Sequence, residues 1–170
     1  MTNNSPLPNI TDSPPDEERM NLIKLTTQDA AKFLGLKLDT DSPDVIVKAV
    51  NDCVRGVKKG GGPAFPEDEE VHLLLECLWG TQLVRALKWE WANIVFHDPS
   101  NFKAVGVVSP SRDMVIYPFQ FVSACIKNNA IVTILLSYNM LKERMGNATF
   151  PPRSYVNVMD RVHHIIPPEE

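Results

Sequence analysis

The chain has 170 residues, of which 44% are hydrophobic and 22% charged, and its net charge at pH 7 is −4. This composition is ordinary for a globular domain and excludes a fibrous or largely disordered chain. The acidic balance argues against nucleic acid as a partner, because non-specific affinity for phosphates comes from lysine and arginine. No stretch approaches about 18 apolar residues and residues 1–20 lack the pattern of a signal peptide, so we expect a cytoplasmic protein with no membrane partner.

Residues 1–20 combine prolines with asparagine, serine, threonine and an acidic cluster at residues 16–18. Such a segment buries too little apolar surface to offset the entropy lost on ordering. We therefore expect a disordered tail over residues 1–20, a single domain over residues 21–146 and a C-terminal extension over residues 147–170. A short partner-binding peptide is the alternative role for the tail.

The first two helices have recognisable ends. A short helix is predicted to begin near residues 26–27, where a threonine hydroxyl can cap it, and to stop at Gly35. The second is predicted to begin with Ser42 as N-cap and Pro43 at the first helical position. It should end at residues 58–62, where two lysines precede three glycines; this order is the reverse of a phosphate-binding loop.

A third helix is predicted after Pro66 and should run to about Leu87. Acidic residues crowd its first turn, where they complement the positive end of the helix dipole, namely Glu67, Asp68, Glu69 and Glu70. Its apolar residues cover more than one narrow stripe. We therefore expect a central helix that is contacted from several directions.

Three strands are predicted next, over residues 89–96, 104–108 and 114–117, because β-branched and aromatic residues are enriched in each. The connections at residues 98–101 and 109–112 are short and rich in turn-forming residues, so neighbouring strands should be antiparallel. Alternation along the first strand separates two sets of side chains, Trp89, Trp91, Asn93 and Val95 on one face and Glu90, Ala92, Ile94 and Phe96 on the other. Both faces are largely apolar, so both need cover from the chain's own helices or from a partner.

Two further helices complete the prediction. Pro118 can open a helix that runs to about residue 127. Residues 130–145 suit either a buried strand in their first half or one helix capped at Asn129 and ended by Gly146, and we favour the helix because of its length. A short amphipathic turn through Tyr155, Val158 and Val162 is predicted to dock beyond it. The fold class is α+β, a three-stranded antiparallel meander packed with about five helices.

The sequence contains no recognisable catalytic or metal-binding pattern. There is no GxSxG motif, no recognisable cysteine nucleophile and no HExxH or paired His/Cys spacing. Cys53, Cys77 and Cys125 lie far apart in apolar helical contexts and are expected to be buried free thiols. We therefore expect no catalytic residue, no metal and no cofactor.

Glu90 is the most informative polar residue, because it lies between two tryptophans on a predicted strand and must point away from both. Arg85, Arg112 or Lys88 could pair with it. The pair would be either a structural ion pair or a charged spot on a binding surface.

The run LWGTQLVRALKWEW at residues 78–91, followed by VVSPSRDMVIYPFQFV at 107–122 and LLSYNML at 135–141, resembles an uncharacterised class of small bacterial domains. In those domains a helix with an LWGxQ-like signature enters a WxW strand, and a later strand ends in a YPF-like corner. The resemblance covers roughly 70 residues, and it implies a shared architecture without implying an activity. By analogy of size, some bacterial domains of this kind are cytoplasmic immunity proteins that neutralise a toxin.

Two classes of function remain open. The leading hypothesis is a non-catalytic protein-interaction module, of which an immunity protein is the most concrete form. Its predicted partner-binding residues are Glu90, Arg112, Glu67, Asp68 and Glu70. The alternative is a small enzyme or ligand-binding domain with a pocket between the meander and the helices, using His97, Asp98, Glu90 or Tyr117. A concave site of several hundred Å³ with converging polar side chains would favour the alternative, and a filled core the interaction module. A homodimer built through the sheet is a third possibility.

Overall fold

The computed structural model describes residues 6–59, 70–98, 101–127, 132–144 and 150–159. The fold is α+β, as the sequence predicts. The elements in chain order are β1 (Ile10–Ser13), α1 (Glu17–Phe33), α2 (Pro43–Lys58), α3 (Glu70–Leu87), β2 (Glu90–Phe96), β3 (Phe102–Val108), β4 (Met114–Ile116), α4 (Pro118–Lys127), α5 (Ile134–Arg144) and β5 (Val156–Asn157).

Helix α3 is the centre of the helical layer, as its many apolar positions predict. It contacts α1, α2, α4 and α5 and also reaches β3. Trp79 on α3 is fully buried and stacks on Phe121 of α4 with ring centroids 4.9 Å apart. Such ring pairs add to the stabilisation that burial of their area already provides.

Helix caps explain where α1 and α2 begin. The Ser42 hydroxyl accepts the Val45 N–H at 3.3 Å and Pro43 is the first residue of α2, which confirms the predicted start. Helix α1 begins about ten residues earlier than predicted, because Asp16 and not a threonine is its N-cap. The Asp16 carboxylate accepts the Arg19 N–H at 2.7 Å, and two glutamates in the first turn complement the helix dipole.

The prediction of a disordered tail through residue 20 is wrong from residue 10 onward, because residues 10–13 form β1 and α1 begins at residue 17. Strand β1 pairs antiparallel with β2, so that Ile10 lies opposite Phe96 and Ser13 opposite Asn93. The local composition is polar, but the ordering entropy is offset by a partner strand more than 80 residues away. Composition alone contains no sign of that partner. Residues 1–5 lie outside the described residues.

The sheet has five strands in the order β1-β2-β3-β4-β5, and it is mixed, not the three-stranded antiparallel meander that was predicted. The meander β2-β3-β4 is present, with β1 added antiparallel at one edge and β5 added parallel to β4 at the other. Residues 150–159 therefore belong to the domain. The boundary placed at residue 146 is wrong for them, and β5 replaces the predicted amphipathic turn.

The remaining helix predictions hold in their described parts. Residues 134–144 form helix α5 and not a strand, while the proposed cap at Asn129 and the end at Gly146 lie outside the described residues. Helix α4 has the predicted bounds. The three cysteines are buried and free, as expected.

The two faces of the sheet have different surroundings, and the predicted alternation of β2 is confirmed. Trp91, Val107 and Ile116 pack in one large hydrophobic cluster with the helices, and we call this side the inner face. The opposite side, the outer face, holds a smaller cluster to which no described helix contributes, formed by Ala92, Ile94, Val108, Val115 and Tyr155 with Ile10, Phe96 and Tyr117 packed against them.

Candidate functional site

The outer face carries an ion-pair network centred on Arg112, which we call the outer-face network: Asp12, Glu90, Arg112 and Tyr155. Arg112 donates to both carboxylate oxygens of Asp12, from Nε at 3.3 Å and from Nη2 at 3.2 Å. Its Nη2 also donates to Glu90 Oε2 at 3.1 Å, and the Tyr155 hydroxyl donates to Asp12 Oδ1 at 2.5 Å. Of the three predicted partners of Glu90, Arg112 is therefore the one that the structure brings to it.

The network has a buried half and an exposed half. The Asp12 side chain is 11% exposed and that of Arg112 26%, whereas that of Glu90 is 67% exposed. Burial alone would lower the pKa of Arg112, but its hydrogen bonds and charge interactions with Asp12 and Glu90 outweigh burial and raise it. Burial and the neighbouring Asp12 carboxylate raise the pKa of Tyr155 to about 12. Asp12 thus anchors a charged guanidinium, and Glu90 presents a carboxylate to solvent.

The turn between β3 and β4 fixes the position of Arg112. The buried Asp113 carboxylate accepts the hydroxyls of Ser109 at 2.5 Å and Ser111 at 2.7 Å. Arg112 has a φ of 57° and Tyr155 one of 44°, both in the left-handed region, which costs about 1 kcal/mol for a residue with a side chain. The Tyr155 N–H donates to the Arg112 carbonyl at 3.0 Å, so these two strained residues hold each other in place.

Aromatic side chains occupy the end of the outer face that is farther from Glu90. Phe96 packs against Phe102 at 5.9 Å and against Tyr117 at 6.2 Å between ring centroids. Phe102 is 57% exposed, which makes it one of the most exposed large hydrophobic residues of the described chain. Phe102 and Phe96 lie at the end of β2 and β3 opposite to Glu90, so the outer face carries an exposed aromatic ring at one end and the arginine network at the other. Aromatic residues and arginine are the residue types enriched in protein-binding interfaces.

The other predicted site residues have separate positions. Glu67 and Asp68 lie outside the described residues, and Glu70 is the first residue of α3. His97 and Asp98, proposed for a pocket, instead hold β1 to β2. His97 Nε2 is hydrogen-bonded to the Thr11 hydroxyl at 2.8 Å, and Asp98 accepts the Asn9 amide at 3.0 Å. Tyr117 lies on the outer face.

Sequence reasoning missed three residues of the outer face. Asp12 was assigned to a disordered tail and Tyr155 to a separate extension, and no local signal links either to Arg112. Phe102 could have been found, because starting the second strand at residue 102 places it opposite Phe96 in the antiparallel register.

A concave feature lies on the inner face, between the sheet and the helices α1, α3 and α4. We call it the inner groove; its volume is about 630 Å³. Its floor is formed by β2 and β3 and its walls by α1, α3 and α4. The residues that line it include Asp16, Arg19, Leu22, Leu73, Asn93, Lys103 and Phe119. A volume of this size lined by several polar side chains is what the ligand-pocket alternative predicts. The residues named for the predicted pocket, His97, Asp98, Glu90 and Tyr117, do not line it.

The described residues were compared with two catalytic features that the sequence patterns did not contain, a metal-binding cluster and an activated thiol. They include no cluster of three His, Cys, Asp or Glu side chains that could hold a metal ion. Cys77 lines the inner groove, but burial, with a smaller effect of the Glu76 carboxylate, raises the pKa of its thiol to about 12. A thiol with so high a pKa stays protonated at neutral pH and is a poor nucleophile.

Glu76 on α3 is a buried carboxyl group away from both surfaces. It is 6% exposed, and burial raises its pKa from 4.5 to about 7, with the charge of Lys127 offsetting part of that rise. The folded state therefore holds its proton more tightly than the unfolded state does between about pH 4.5 and pH 7. Linkage then requires that this residue's contribution to stability falls as pH rises through that window and levels off above it.

Replacement of Glu76 by glutamine should remove this pH dependence. Between pH 5 and pH 7 we expect the wild type to lose about 2 kcal/mol of its free energy of unfolding through this residue. The Glu76→Gln variant should not show that loss. Urea denaturation at several pH values measures this difference. Glu143→Gln, at an exposed position on α5, is the matched control and should run parallel to the wild type. Parallel curves for Glu76→Gln would contradict the prediction.

Comparison with protein-family models, curated proteins and solved structures found no match to this chain. The resemblance of residues 78–141 to a class of small bacterial domains therefore stays a prediction. Among the described residues, no helix combines the length and the apolar character that crossing a bilayer requires.

Proposed function

We propose that this chain is a non-catalytic protein-interaction module that binds its partner with the outer face. The observation that carries this proposal is the pairing of a preorganised network with exposed aromatic surface. Arg112 is fixed by Asp12 and by the strained turn, and Glu90 beside it faces solvent. Phe102 is exposed on the same face of the sheet, at the other end of β2 and β3. Fixing these groups before binding lowers the entropic cost of forming the complex.

The charge of the outer face favours a basic partner. Two carboxylates, those of Asp12 and Glu90, surround one guanidinium, and the whole chain carries a net charge of −4. Complementary charge speeds encounter and selects against acidic proteins. In its most specific form the proposal is a cytoplasmic immunity protein whose partner is a basic toxin domain. Glu67, Asp68 and Glu70 are proposed as further contacts with that partner.

Affinity capture with matched variants tests the proposal. We expect the wild-type chain to retain a stoichiometric protein from the source cell, and Phe102→Ala and Glu90→Lys each to weaken the purified complex by about tenfold or more. Leu136→Ala is the control, because Leu136 is 39% exposed on α5, in the opposite layer. Its complex should match the wild type.

Three results would count against this interface: no stoichiometric partner, a partner retained equally by Phe102→Ala, or one that is lost with Leu136→Ala. Sedimentation of the purified chain covers the homodimer alternative. A dimer that dissociates in Phe102→Ala would mean that the outer face binds a second copy instead of a different protein.

The inner groove favours a second candidate function, a ligand-binding domain. Its volume of about 630 Å³ lies within the range of about 300 to 1,000 Å³ typical of small-molecule sites. The two candidates use opposite faces of the sheet and can be tested separately.

A further inference from the structure

The lining of the inner groove combines apolar and charged side chains, and the proposed interface does not use it. Leu22 is 58% exposed and Leu73 38% exposed on the helical walls, and Phe119 contributes a half-buried ring. Exposed leucines on both sides of one groove provide apolar surface that a bound molecule would remove from water. The ligand therefore needs an apolar body.

The net charge of the groove lining is positive, whereas that of the whole chain is negative. Arg19 on α1 and Lys103 on β3 line it, both are exposed, and neither forms an ion pair with a described residue. The acid that lines it, Asp16, already accepts the Arg19 backbone N–H as the cap of α1. In a chain of net charge −4, the groove thus carries two cations and one carboxylate engaged in a helix cap. This local excess of positive charge favours an anionic ligand.

Asn93 adds a polar group at an unexpected position. It lies on the inner side of β2 between Trp91 and Val95, where an apolar residue would be expected, and its half-buried side chain lines the groove. Its amide forms no hydrogen bond with a described residue. An amide with this placement has an unused N–H donor and carbonyl acceptor for a ligand.

We propose that the inner groove binds a small amphipathic carboxylate, whose apolar body contacts Leu22, Leu73 and Phe119 and whose carboxylate is bound by Arg19 and Lys103. Charge-assisted hydrogen bonds from a guanidinium and an ammonium are the strongest contacts available in the groove. Asn93 supplies a further N–H donor. Binding is non-covalent, because the lining thiol of Cys77 stays protonated.

Titration of the full chain with sodium dodecanoate, below its micelle concentration, tests the proposal by calorimetry. Dodecanol and dodecyltrimethylammonium are the matched probes with no charge and with a positive charge. We expect one site per chain and an affinity for dodecanoate at least about tenfold higher than for either matched probe. Arg19→Gln and Lys103→Gln should each weaken dodecanoate binding by about tenfold and leave dodecanol binding unchanged.

Lys24→Gln is the matched control, because Lys24 lies on the same helix but outside the inner groove. It should bind dodecanoate like the wild type. Equal affinity for the three probes, equal weakening in Lys24→Gln, or no binding of dodecanoate would overturn the proposal. Binding of a peptide with a free C-terminal carboxylate, without binding of dodecanoate, would also overturn the proposal. Since Arg19 and Lys103 lie on the inner face, capture of a protein partner by the outer face should be unchanged in their variants.

Discussion

Replacement of Trp79 by alanine is expected to lower the free energy of unfolding by about 3 to 5 kcal/mol. Trp79 is fully buried on the central helix and stacks on Phe121, so truncation removes a ring and leaves a cavity between α3 and α4. The surrounding helices cannot collapse into that space without losing their other contacts with α3. Urea denaturation measures the loss, and heteronuclear NMR spectra establish whether the variant remains folded.

Trp79→Phe is the control for this prediction. The indole Nε1 has no hydrogen-bond partner among the described residues, so phenylalanine loses ring volume but no hydrogen bond. We expect Trp79→Phe to lower the free energy of unfolding by less than half as much as Trp79→Ala does. A Trp79→Ala variant as stable as the wild type would mean that α3 and α4 are not held together by this stack.

The second large effect is expected at Gly80, where alanine should destabilise the fold although it favours helices. A Cβ built at this position would lie 2.6 Å from Cζ2 of the Trp91 ring and 2.9 Å from Pro118 Cγ. Real Cβ atoms do not approach other atoms so closely, and both neighbours are rigid rings. We expect a loss of about 3 kcal/mol by urea denaturation, because the strain of overpacking exceeds the gain of about 1 kcal/mol in helix propensity.

A double-mutant cycle isolates the cause. Trp91→Phe removes the ring atoms that meet the new Cβ, so it should destabilise the wild type but cost less, or nothing, in the Gly80→Ala background. Additive effects of the two substitutions would contradict a steric conflict between residues 80 and 91.

Local signals predicted most of the helical layer, although the start of α1 was placed about ten residues too late. Ser42 and Pro43 mark the start of α2 to the residue. The apolar residues around α3 predict its central position. The β2-β3-β4 meander was also predictable, because its two turns are short and leave antiparallel pairing as the available arrangement. In each case the information lies within about ten residues of the feature that it specifies.

The edges of the sheet and half of the outer-face network were not predictable in this way. Strand β1 lies in a polar, proline-rich segment, and it is specified by the backbone of β2 and by contacts such as that between Thr11 and His97. Glu90 and Arg112 were predicted as a possible pair from strand alternation alone. Asp12, which fixes Arg112, is 100 residues away from it in sequence, and no periodicity connects the two.

The outer-face network also has a consequence for the order of folding during synthesis. Arg112 lies in the middle of the chain, yet its contacts join residue 12, made early, to residue 155, made late. During translation, Asp12 cannot pair across the sheet until β2 has been made. The contact between Arg112 and Tyr155 cannot form until the segment after α5 has been made. Contacts of such long sequence separation form slowly, because the intervening loop must close before they contribute. On the ribosome, therefore, α1, α2 and α3 can associate first, whereas β5 and the hydrogen bond from Tyr155 to Asp12 are added only after residue 157 has left the exit tunnel.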